Sequence, residues 1–109
     1  MSLLNRIPAR RYATVKLSDG TPLRLRSLMR SEQRQLRARV KDRMEYYDDC
    51  LLALSIVNGT GEPEVSIETA LEGFFDQWEM RDIQVILNAA MDLNIPDKEV
   101  TRIEDVVKN

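Results

Sequence analysis

The chain has 109 residues, a mass of 12.6 kDa and a formal net charge of −2, which leaves room for one small domain, residues 1–109, and not for two. It contains no histidine and one cysteine, Cys50, so Ser-His-Asp and Cys-His nucleophile systems, the usual zinc ligand sets and an internal disulfide are all excluded. No apolar run reaches the roughly 20 residues that span a bilayer, and no signal-peptide core follows the start, so the expected setting is cytoplasmic and the expected role non-catalytic, with no cofactor and no metal.

In chain order, residues 12–26 read as a β-hairpin. Thr14-Val15-Lys16-Leu17 and Leu23-Arg24-Leu25-Arg26 both alternate apolar and polar side chains, and Ser18-Asp19-Gly20-Thr21 between them supplies the turn. Pro22 cannot donate to a ladder and suits the first position of a strand. A hairpin alone is marginal, so its apolar side is expected to pack on helices.

A long helix is predicted next, with Ser31 as N-cap and Glu32 in the first turn. Leu36, Val40, Met44, Tyr47, Leu51 and Leu54 step by 4, 4, 3, 4 and 3, which keeps one face for five turns until Asn58-Gly59 stops the helix near Val57. Such a helix would extend about 39 Å. Within it, Cys50 to Val57 is apolar on every side: Leu52 and Ile56 point away from the Leu36–Leu54 stripe. That end is either buried all round, a separate short strand, or a docking surface.

Residues 58–65 form a loop. Ser66 caps a short helix carrying Ile67, Ala70, Leu71 and Phe74, which Gly73 weakens. Asp76 three residues before Glu79, with Phe75 and Met80 as a hydrophobic staple, is expected to open a helix over 77–92 that presents Ile83, Ile86, Leu87 and Ala90. Asn94-Ile95-Pro96 stops it, and Asp97 to Val107 forms a last helix, so the helical part covers about 31–108. The expected fold is α+β and mostly α-helical, an N-terminal β-hairpin packed on three or four helices, the first one long.

The net charge hides a split: residues 1–43 sum to +9 and residues 44–109 to −11. Such a split points to a nucleic-acid arm, an acidic tail or a self-complementary surface. On the predicted helix Arg34, Arg37 and Lys41 share one side. Against nucleic acid stand an overall pI of 5.2, the lack of a binding motif and the lack of a set of stacking aromatics in the basic stretch, which holds Tyr12 alone. Asp48 and Asp49 diverge by about 100° on a helix and do not converge on a metal ion. Gly59-Thr60-Gly61 lacks the lysine of a phosphate-binding loop. Phe74, Phe75 and Trp78 cluster before the last predicted strong helix; such groups are commonly core, although Trp also anchors interfaces.

These elements in this order resemble the small tail assembly chaperones of long-tailed bacteriophages and their prophages. The resemblance rests on the hairpin ending in Leu23-Arg24-Leu25-Arg26-Ser27-Leu28, the charged helix, Leu52-Ala53-Leu54-Ser55-Ile56-Val57, the Gly-Glu-Pro loop, and Ile83-Gln84-Val85-Ile86-Leu87-Asn88-Ala89-Ala90-Met91-Asp92-Leu93-Asn94. It spans roughly residues 13–95 and implies a protein that binds the tape-measure protein, keeps it soluble, helps recruit tail-tube subunits and is absent from the finished virion. It also implies that an extended form made by ribosomal frameshifting is common in the family. On that reading Leu52, Ile56, Phe74, Phe75 and Trp78 supply apolar contacts to the partner, and Arg34, Arg37 and Lys41 steer its acidic segments. The alternatives are a nucleic-acid-binding regulator using the basic half and a self-associating module in which opposite faces of two copies meet.

Overall fold

In the computed structural model, which describes residues 3–5 and 9–95, the alternation of the first segment is realised as a hairpin. Strand β1 (Tyr12–Lys16) pairs antiparallel with β2 (Pro22–Arg26), Val15 opposite Leu23 and Ala13 opposite Leu25. The turn needs a left-handed residue, and Gly20 takes it at φ +88°. Pro22 opens β2, as its missing N–H requires. A third strand, β3 (Ile56–Val57), pairs with β2 on its other side, placing Leu25 opposite Ile56 in a sheet of order β1-β2-β3.

The single long helix predicted over 31–57 is not there. Helix α1 (Arg30–Arg39) ends at Val40, a short 3-10 turn covers Met44–Tyr46, and helix α2 (Tyr47–Ser55) runs directly into β3. Packing explains the break. Leu36 and Val40 share one buried cluster with Cys50, Leu54 and Ile67. In a continuous helix Leu36 and Cys50 would lie about 21 Å apart along the axis, so sharing that cluster requires the chain to reverse. Met44, one step of the predicted stripe, lies in the reversal and is 61% exposed. Nor is Ser31 the cap: Met29 is, with its N–H donating to the Glu32 carboxylate at 2.7 Å.

Helix α3 (Ile67–Leu71) starts on Ser66, whose hydroxyl accepts the Thr69 N–H at 3.1 Å, as expected of a serine N-cap. Gly73 at φ +91° ends that segment, a 3-10 turn covers Phe74–Gln77, and helix α4 runs over Met80–Asn94. The Asp76 cap and the Phe75–Met80 staple are not formed. Glu79 is the N-cap of α4 and Met80 points to solvent at 77% exposure, because Trp78 turns extended between the two segments. Ile86 and Ala90 of α4 are buried, with Ile83 and Leu87 packed partly beneath the sheet, as the periodicity predicts. The last helix expected over 97–107 lies outside the described residues.

Helix α2 is the centre of the molecule. Leu52 and Ala53 face a core shared with Leu25, Ile56, Ala70, Phe75 and Ile86, while Cys50 and Leu54 face the second cluster against α1 and α3. From Leu52 to Val57 every residue is buried between the two cores, which is why this stretch carries no amphipathic pattern. The hairpin is tied to both ends of α4. Near one end Ser18 donates from its N–H and hydroxyl to the Asp82 carboxylate, at 2.9 and 3.0 Å. At the other the Leu28 N–H donates to the Asn94 side-chain oxygen at 2.8 Å, while the Asn94 amide donates back to the Ala90 carbonyl.

Candidate surface for a protein partner

Where the hairpin exit, α1, α2 and the end of α4 meet, a groove of about 470 Å³ opens, lined by Leu28, Met29, Leu36, Tyr47, Leu51 and Met91, with Arg30, Gln33, Asn94 and Ile95 at its margins. The Asn94 clamp joins two of its walls. Met91, at 55% exposure, and Ile95 leave apolar surface open at its mouth. Beside it runs the exposed side of α1, where Arg30, Arg34 and Arg37 fall within an arc of about 60° at 100° per residue. Lys41 is exposed too, but it follows the end of α1 and leaves the helical register of Arg34 and Arg37.

The remaining cations of the basic half are largely committed elsewhere. The Arg10 guanidinium grips Glu32 through two bonds at 2.6 and 2.8 Å and also reaches the Ser27 carbonyl. Arg26, only 6% exposed, donates to the Leu54 carbonyl at 2.8 Å and lies 3.0 Å from the same carboxylate. Burial pushes the Glu32 carboxyl up, but the Arg10 bonds, the Met29 N–H and Arg26 outweigh it and hold the group below its ordinary value. Arg24 stacks over the Tyr12 ring at 4.1 Å and Arg43 over Tyr46 at 4.5 Å. Arg39 pairs with Glu68. Arg30, Arg34, Arg37 and Lys41 take part in no ion pair among the described residues.

Three of the five expected apolar contacts, Leu52, Ile56 and Phe75, are core residues. Leu52 and Ile56 are buried in the core with Leu25 and Ile86, because α2 and β3 run through the middle of the molecule. Phe75 is buried with them. It anchors an aromatic trio, meeting Phe74 edge-on at 5.0 Å between ring centroids and Trp78 at 5.1 Å. Of the three, Phe74 is exposed and Trp78 half-buried. Carboxylates gather near the trio: the Asp49 carboxyl is pushed up by burial and by Asp76 and Asp48. Arg34, Arg37 and Lys41 are thus not brought together with Phe74 and Trp78 into one surface by any contact among the described residues; the apolar groove beside α1 is what sequence reasoning missed. Its lining comes from α1, α2, α4 and the connection after β2, which no local pattern brings together; Leu36, Tyr47 and Leu51 of it are on the predicted apolar stripe.

Among the described residues no cluster of three histidine, cysteine, aspartate or glutamate side chains has the arrangement of a metal site, and no helix is long and apolar enough to cross a membrane. Cys50 is buried, and burial, with Asp49, pushes its thiol up, which suits a core side chain and not a nucleophile.

No protein-family model matches the sequence, and no curated protein matches it. The fold does have a counterpart among solved structures. It is similar to the tail assembly chaperone of bacteriophage HK97, with a TM-score of 0.65 and 21% identity, over 86% of this chain and 91% of that one. The likeness read from the order of sequence elements is therefore present in three dimensions.

Proposed function

We propose that this protein is a non-catalytic tail assembly chaperone of a long-tailed bacteriophage or prophage, acting in the host cytoplasm by binding the tape-measure protein and tail-tube subunits. The observation that carries the reading is the fold it shares with the HK97 chaperone across nearly the whole of both chains. The surface supports it. A chaperone for a long helical partner needs apolar area and charge at the surface and no catalytic cleft. The groove beside α1 supplies the first, and Arg30, Arg34 and Arg37, in no ion pair among the described residues, supply the second.

Co-expression tests this directly. A fragment of the tape-measure protein from the same genome is expressed with and without this chain, and its soluble fraction is measured. The expected result is a several-fold gain in soluble fragment that co-purifies with the chain; equal solubility in both cultures removes the reading. Among the alternatives, a nucleic-acid regulator would be removed by a lack of retention on duplex DNA at low salt, where a phosphate binder is held most tightly.

A further inference from the structure

We infer that the groove between α1, α2 and the end of α4 is a seat for one amphipathic helix of the protein partner, with acidic residues along the flank that lies against α1. This rests on the chaperone reading and specifies the partner's chemistry. The groove is walled by side chains of α1, α2, α4 and the connection from β2 to α1, with no free strand edge among its lining residues, so it accepts ridges of side chains and not an added strand. Leu28, Met29, Tyr47, Leu51 and Met91 offer an apolar floor and lip for residues spaced i, i+4 and i+7 on such a helix.

Charge sets the flank. Arg30, Arg34 and Arg37 lie along two turns of α1, about 10 Å, and Arg30 itself borders the groove. Its contact on its own helix is with Gln33, a neutral group, and none of the three arginines is in an ion pair among the described residues. A helix seated in the groove would lie alongside α1, and carboxylates at i, i+4 and i+7 on its near flank would meet that row at matching spacing. A basic flank would meet three like charges.

The test uses the full chain and two synthetic 18-residue helical peptides that share a leucine stripe. One carries Glu along the flank and the other Lys at the same positions, and binding is read by fluorescence anisotropy. The Glu peptide is expected to bind at least about tenfold tighter than the Lys peptide, with a preference that shrinks as salt rises. Arg34→Glu with Arg37→Glu, both exposed positions, should abolish the preference. Met91→Ser, which changes no charge, should weaken the Glu peptide about fivefold.

Equal binding of both peptides overturns the acidic flank, and binding of neither overturns the seat. Glu-peptide binding that Met91→Ser leaves unchanged places the peptide on the arginines alone and overturns the groove. A peptide-free dimer dispersed by the peptide makes a second copy the occupant and likewise overturns the assignment. The co-expression result is independent: a peptide that binds as described while the tape-measure fragment stays insoluble removes the chaperone reading and leaves the groove standing.

Discussion

Glu32 is a residue on which three segments around the hairpin converge. Its carboxylate accepts from Arg10 and the Met29 N–H and forms an ion pair with Arg26 at 3.0 Å, so it ties the segment before β1, the end of β2 and the first turn of α1 together. The buried Arg26 is balanced by this carboxylate, 3.0 Å away, and by the Leu54 carbonyl, to which its Nε–H donates. Glu32→Gln leaves a buried guanidinium without its counter-charge and should cost about 2–3 kcal/mol, read as a lower denaturation midpoint. A carboxyl held below its ordinary value in the fold contributes stability that is present at neutral pH and lost as pH falls through the folded value. The wild type should therefore lose stability below about pH 4.5, and Glu32→Gln should flatten that slope. Asp49, pushed up, acts in the opposite sense and offsets part of the loss. A Glu32→Gln chain with an unchanged acid slope would mean that the network does not carry this linkage. None of this is visible in the charge count, where Arg10 and Arg26 are simply two of the cations in the +9 half.

At the scale of elements, local chemistry and long-range packing divide the molecule. The hairpin, the Ser66 cap and the buried face of α4 were legible because alternation, capping and 3.6-residue periodicity are properties of adjacent residues. The reversal between α1 and α2 was not. Val40 to Arg43 contains no glycine or proline, and only the cluster joining Leu36 to Cys50 forces the chain to turn. The all-apolar Cys50–Val57 stretch was recognised as anomalous, but its meaning as the helix between two cores needed the partners on both sides. Gly73 shows a local rule acting where another failed. The Asp76 cap is absent, yet Gly73 holds φ +91° where the chain leaves α3, a conformation that disfavours any side chain. Gly73→Ala should cost about 1–2 kcal/mol, measured by chemical denaturation. The Asp76 carboxylate, 2.7 Å from where a Cβ would sit, can swing away, so the backbone sets the cost. If Gly73→Ala matched the wild type, the left-handed turn would not be a requirement of the fold.

For the whole molecule, the question is whether the +9 and −11 halves serve each other or something else. If they neutralised each other within the chain, ion pairs would cross between them. Among the described residues one does, Arg39 with Glu68, and both side chains are substantially exposed. The Arg10–Glu32–Arg26 network lies entirely inside the basic half. An exposed pair contributes little to stability, so the fold should be nearly indifferent to salt while any partner held by Arg30, Arg34 and Arg37 should not be. Raising sodium chloride from about 50 to about 500 mM, across which the Debye length falls several-fold, should move Tm by no more than a few degrees. The same change should release a tape-measure fragment captured by the chain. A Tm that drops steeply with salt would show the two halves pairing within one molecule, and α1 would then have no charge to offer a partner. A complex that survives high salt would shift the weight of recognition from the arginines to the apolar groove, where screening has no purchase.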